Sequence, residues 1–141
     1  MTRIIVPVSR NVLAFFCLLV LPAASPAVAH HSYGDILREQ SVSLSGVVEQ
    51  IDFVNPHVVM RLRTDDGKAY AIEWGNVFQL GRTGVQRETV GKGDLLIVTG
   101  SPHRDPARNL LTLLTEIERP ADGWRWTKSG GVQRSTPPRS F

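Results

Sequence analysis

The chain of 141 residues holds a single cysteine, Cys17, in an apolar run near the N-terminus. From His30 onward there is none, so that part can form no disulfide, no thiolate metal site and no nucleophilic thiol. Its stability has to come from an apolar core, whatever the redox state of its compartment. Charge of one sign is equally scarce. The formal net charge is +3, but Arg3 and Arg10 lie in an N-terminal segment without acids, and from His30 onward the excess is only +1. That balance leaves no electrostatic footprint for nucleic acid or an anionic membrane surface, and nucleic acid is excluded as a partner. Long apolar runs are missing too. The longest, residues 12–21, is far short of the roughly 20 residues a membrane-spanning helix needs.

What the N-terminus does contain is the pattern of an export signal. Arg3 and Arg10 supply a positive start, residues 12–21 the apolar stretch, Pro22 a break, and Ala27-Val28-Ala29 a small-x-small cleavage site. Residues 1–29 are therefore predicted to be a signal peptide cut between Ala29 and His30, giving a periplasmic or secreted protein with no stable membrane span after cleavage. Cys17 lies between Phe16 and Leu18 inside the run, which is not the setting of a lipid-modified cysteine.

The remainder reads as strands. Residues 30–40 are a polar arm. In residues 41–53, Val42, Leu44 and Val48 alternate with Ser43, Ser45 and Glu49, the period of a strand with one buried face, and Gly46 marks a bulge or a tight bend. Asn55-Pro56 reads as a corner, because proline cannot donate to a ladder and pushes the residue before it out of the helical region. A second strand over 57–64 places Val58, Met60 and Leu62 on one face; Asp66-Gly67 forms a hairpin turn; a third strand covers 69–74. Asn76 caps a short helix ended by Gly81 or Gly84. Residues 95–100 read as a strand buried on both faces, residues 101–108 as a polar loop, and residues 110–118 as a last strand with Leu111, Leu113 and Ile117 opposite Thr112 and Glu116.

Five strands with a helix between the third and fourth give an all-β protein with one short helix, in the order of the OB fold, a five-stranded Greek-key barrel. An open antiparallel sheet with the helix on one face fits the same pattern. The barrel domain is assigned to 41–119 and the C-terminal tail to 120–141, largely disordered from about 128, where glycine, serine, proline and arginine dominate. Within the tail, Trp124 and Trp126 flank Arg125 and share a face if extended. They read as a strap over one opening of the barrel or as a partner-binding segment.

Four histidines are candidates for chemistry: His30, His31, His57 and His103, all at ends or loops. Cleavage after Ala29 gives His30 a free amine, which with imidazole nitrogen suits Cu(II), and Ni(II) or Zn(II) less specifically. His57, next to the proline corner, is a further nitrogen if the arm folds back. The metal set proposed on this basis is His30, His31 and His57, although no pair has the exact spacing of a metal motif. No catalytic constellation is present: Glu73 and Asp52 sit within strand patterns, Glu73 facing outward toward an arginine, and Gly-Lys-Gly-Asp at 91–94 is a turn rather than a phosphate loop.

The start A-H-H-S at Ala29 to Ser32, the corner N-P-H at Asn55 to His57, E-x-G at Glu73 and Gly75, and G-D at Gly93-Asp94 resemble a family of small exported bacterial proteins classified only as a domain of unknown function. Phe53 stands where that pattern has tryptophan. The resemblance implies an exported OB-like barrel and supplies no catalytic residue. The expected function is thus a non-enzymatic exported binding domain, for a transition metal such as copper through the histidines. The alternative is a module binding a peptide, glycan or periplasmic protein without metal.

Overall fold

The computed structural model describes residues 33–134; residues 1–29, expected to be a signal peptide, and His30 and His31 lie outside them. Three antiparallel strands, β1 (Val42–Asp52), β2 (Val59–Thr64) and β3 (Ala69–Glu73), are followed by a helix, α1 (Val77–Arg82), and then by β4 (Leu95–Pro102) and β5 (Leu110–Arg119). β1 also pairs with β4, β4 with β5, and β5 runs parallel to β3, which closes the five strands into a barrel. This is the expected OB-like order, and closure rules out the open sheet. Among the described residues no helix is long and apolar enough to cross a membrane.

The alternation seen in the sequence fills the barrel. Val48, Met60, Leu62, Ile72, Leu96, Val98, Leu111 and Ile117 are all buried, one set of inward positions from each strand. β1 is long enough to serve two neighbours, and Gly46 lies where they overlap, opposite both Thr64 and Leu96. A Cβ at Gly46 would sit 2.7 Å from the Arg63 carbonyl oxygen. Close backbone approach therefore explains the glycine, while the register shift comes later, between Val48 and Gln50.

Two strand expectations are corrected. β4 is buried on one face only: Leu96 and Val98 point inward, while Leu95 is exposed. A closed barrel gives every strand an outer side, so a continuous apolar run need not be covered twice. In β5 the simple alternation fails at Leu113, whose φ is +50°. The pairing slips there, from Ser101 opposite Thr112 to Thr99 opposite Glu116, and the slip turns Leu114 into the core and buries Thr112. Gly100 faces this irregularity. An added Cβ would lie 2.7 Å from the Thr112 carbonyl oxygen and 2.8 Å from Leu114 Cδ2. Gly100→Ala is accordingly expected to cost about 1–2 kcal/mol of stability, read as a lower midpoint in urea at unchanged slope.

The largest correction concerns the tail. Residues 124–134, far from being wholly loose beyond 128, form a hairpin of β6 (Trp124–Thr127) and β7 (Gly131–Arg134), with β6 paired to the end of β5. Trp124 and Trp126 are 2 % and 5 % exposed, so their rings are core and offer no surface to a partner. The glycines and serine that read as disorder make the turn: Gly130 N donates to Thr127 Oγ1 at 3.0 Å, and Gly131 has φ +66°. Val132 N then donates to the Thr83 carbonyl at 2.9 Å, tying the hairpin to the end of α1. Residues 135–141 lie outside the described ones.

Charges sit on the outside of the barrel. Glu49 meets Arg63 at 2.5 Å and Arg61 at 3.4 Å, while Arg125 bonds Glu116 and lies 3.4 Å from Glu118. The hydrogen bond from Arg63 holds the Glu49 carboxyl below its usual range, and the bond from Arg125 does the same for Glu116. Glu118 is pushed up by sharing a hydrogen bond with Glu116.

Candidate functional site

The connection between β1 and β2 is held at several points. Phe53 is buried; Arg87 Nη2 donates to its carbonyl at 2.9 Å, and the guanidinium lies 5.6 Å from its ring centroid. Asn55, before the cis-proline Pro56, accepts from Val77 N at 3.1 Å, while Asn76 accepts from Gln79 N at 2.8 Å. Two asparagines thus satisfy the first turn of α1, one of them from the corner. Val58 N donates to the Gly75 carbonyl at 3.0 Å and Trp74 N to the Val58 carbonyl at 2.8 Å, extending the β2–β3 ladder beyond both strands.

That extension lays His57 beside Glu73. His57 Nδ1 is 3.1 Å from Glu73 Oε1, and the two side chains are 29 % and 13 % exposed. The expectation that Glu73 would meet an arginine is corrected: Arg61 and Arg63 turn to Glu49, and Glu73 faces the corner histidine. A carboxylate on Nδ1 orients an imidazole, so a metal ion at His57 would have to take Nε2.

The pair borders a cavity of about 330 Å³ between the corner, α1 and the β5–β6 ladder. Trp74 and Trp126 form one wall, edge to face at 5.1 Å and 82°. Their indole nitrogens differ. Trp126 Nε1 donates to Thr83 Oγ1 at 3.0 Å, and Thr83 Oγ1 donates to the Leu80 carbonyl at 2.8 Å. Trp74 Nε1 is buried and is the one buried side-chain nitrogen or oxygen without a partner among the described residues. Thr112 and Leu114, brought in by the slip in β5, line another side, and Gly75 lines the cavity beside Leu80 and Gln79.

The other sequence candidates lie apart. His103 Nδ1 accepts from Asp105 N at 2.9 Å, and His103 bridges to Ile36, while Leu37 N donates to the Pro102 carbonyl at 3.0 Å. This is where the described part of the arm docks, and His103 does not line the cavity. Asp52 accepts two bonds from Gln50 and does not line the cavity. Asp94 in the Gly-Lys-Gly-Asp turn accepts from Gly91 N and from Arg119, both at 2.9 Å, a structural role. Among the described residues no group of three His, Cys, Asp or Glu is placed to hold a metal ion. His30 and His31 lie outside the described residues. Sequence reasoning missed Trp74 and Glu73 as site residues; the signal that pointed to them was E-x-G, whose three residues all line the cavity.

No curated protein and no solved structure matches this chain. A model of a family of unknown function, DUF6152, matches residues 18–112. The matched span includes the corner, His57, Glu73, Trp74 and Gly75, and stops short of the hairpin that carries Trp126. Since it covers most of the sequence, the chain belongs to the DUF6152 family of unknown function.

Proposed function

We propose that the protein is an exported, non-enzymatic binding module whose ligand occupies the cavity beneath the Asn-Pro-His corner. One observation carries the reading: the His57–Glu73 pair, at 3.1 Å, borders a cavity with aromatic walls. Cavities of a few hundred Å³ with apolar walls and a few convergent polar groups are the usual form of a small-ligand site. Export rests on the N-terminal pattern of Arg3, Arg10, the apolar run and Ala27-Val28-Ala29.

The metal form of this reading draws support from the same pair. A carboxylate on the far nitrogen is the usual partner of a metal-binding histidine, and His57 through Nε2 with His30 and His31 would give a nitrogen-rich set suited to Cu(II). Protein beginning at His30, without a tag on its amine, is to be titrated with Cu(II) under calorimetry. Tight 1:1 binding, weakened at least about tenfold by His57→Ala, is expected of this form (about 1.4 kcal/mol). Absence of 1:1 binding, or binding that ignores His57→Ala, removes the metal and leaves the cavity to a peptide, glycan or other organic ligand.

A further inference from the structure

A groove of about 340 Å³ crosses the outer face of β2 and β3, on residues that the corner cavity does not use. Its floor is formed by the short side chains of Ala69 and Ala71, and its walls are arginines. Arg61 is the cross-strand partner of Ala71, and on the other side Ala71 N donates to the Asn109 carbonyl at 2.8 Å, so Arg61 and Arg108 line the groove from opposite sides of one strand. Neighbouring strands lie about 4.8 Å apart, which sets the two backbones about 10 Å from each other, within the span over which two arginine side chains can meet on one anion. Neither arginine is fully matched by an acid. Glu49 is already met by Arg63 at 2.5 and 3.2 Å, which leaves Arg61, 61 % exposed, at 3.4 Å. Arg108 is exposed and makes no ion pair among the described residues.

Beyond Arg61 the chemistry changes. Its partner in β1, Gln50, donates through Nε2 to both oxygens of Asp52 at 3.0 and 3.1 Å, and the remaining lone pairs of that carboxylate face a ligand as hydroxyl acceptors. We propose that the groove binds an acidic saccharide, the carboxylate of one uronic-acid unit lying between Arg61 and Arg108 and its hydroxyls on Asp52 and Gln50. Guanidinium groups suit a planar carboxylate, with which they form paired charge-assisted hydrogen bonds. Asp52 sets the rest of the class, because a ligand charged at both ends, such as a run of acidic residues or of phosphates, would bring a second anion against it. A sugar acid brings one charge and several hydroxyls. The neighbouring charges do not compete: Arg63 is turned to Glu49, and Glu73 to His57.

Glucuronate is a probe with this chemistry; glucose keeps the ring and hydroxyls without the charge, and acetate keeps the carboxylate alone. In ¹H–¹⁵N correlation spectra, glucuronate is expected to move the amide peaks of Ala69, Ala71 and Asn109 in a saturable way and to leave the indole peaks of Trp74 and Trp126, which line the corner cavity, in place. Glucose and acetate should each bind at least about tenfold more weakly. Arg61→Gln and Arg108→Gln, both at exposed positions, should each weaken glucuronate at least about tenfold. Arg104→Gln, exposed on the same loop as Arg108 but outside the groove, should leave it unchanged. Glucose binding as well as glucuronate would overturn the role of the arginine pair, and acetate binding as well would overturn the saccharide. A loss in Arg104→Gln equal to that in Arg108→Gln would reduce the effect to general charge attraction, and the absence of a saturable shift would remove the site; both overturn the proposal. The groove shares no lining residue with the corner cavity, so each of these results leaves the copper titration as a separate test.

Discussion

A chain ending at Pro120 is expected to lose cooperative folding. The truncation removes β6 and β7, and with them Trp124 and Trp126, both buried in the core. Emptying a buried tryptophan site costs about 3–5 kcal/mol, and a domain of this size has only about 5–15 kcal/mol to lose. Trp126→Ala alone is expected to cost about 3–5 kcal/mol, since it opens the wall against Trp74 and leaves Thr83 Oγ1 without its donor. Urea unfolding followed by circular dichroism checks both. A truncated chain that unfolds in one sharp transition near the wild-type midpoint would make the hairpin an appendage.

The second large effect is expected at Arg119, near the end of β5. Its side chain is 19 % exposed and donates to Asp94, to the Thr89 carbonyl and to Asp122, each at 2.9 Å, with its guanidinium 5.5 Å from the Trp124 ring centroid. It fastens the turn before β4, the end of β5 and the start of β6. Arg119→Met keeps much of the stem and strands the acceptors, with an expected loss of about 2–3 kcal/mol, less than for a fully enclosed ion pair because water still reaches the group. Asp122 adds a pH signature. The Arg119 hydrogen bond lowers its carboxyl below the ordinary 3.8, so the stabilisation is complete above that value and is lost as pH falls below it. Stability measured from pH 5 down to pH 2 should therefore drop less steeply in Arg119→Met than in the wild type.

The barrel was legible because alternation and turn residues repeat along β1, β2 and β3, and because the helix falls between the third and fourth strands. Where the reading failed, a tertiary contact outweighed local pattern. Gly130 and Gly131 resemble linker residues until Val132 and Thr83 are seen to bind the hairpin to α1. Leu113 breaks the period of β5 through a positive φ that no composition rule announces. At the site, the sequence marks His57 beside the proline corner as a candidate ligand, and the histidine does face a partner. That the partner is Glu73 could not be read, because two residues beyond the end of β3, Trp74 and Gly75, carry the ladder on to Val58. Asn55, too, looked like a corner residue only; its bond to Val77 N, across 22 residues, makes it a cap for α1.

Gly75 gives the most direct test of the central claim, that the cavity under the corner is where the ligand sits. The residue lines the cavity, its φ lies outside the positive range, and an added Cβ would meet Leu80 Cδ2 at 3.4 Å, an ordinary contact. Gly75→Val should therefore fold, and its side chain should fill the space a ligand needs. The measurement is a titration of this variant and of the wild type with a one-ring probe, acetophenone, sized for the cavity and read at the Trp74 and Trp126 indole peaks of a ¹H–¹⁵N correlation spectrum. The account predicts a folded spectrum with binding weakened at least about tenfold; acetophenone bound by Gly75→Val as tightly as by the wild type would contradict it.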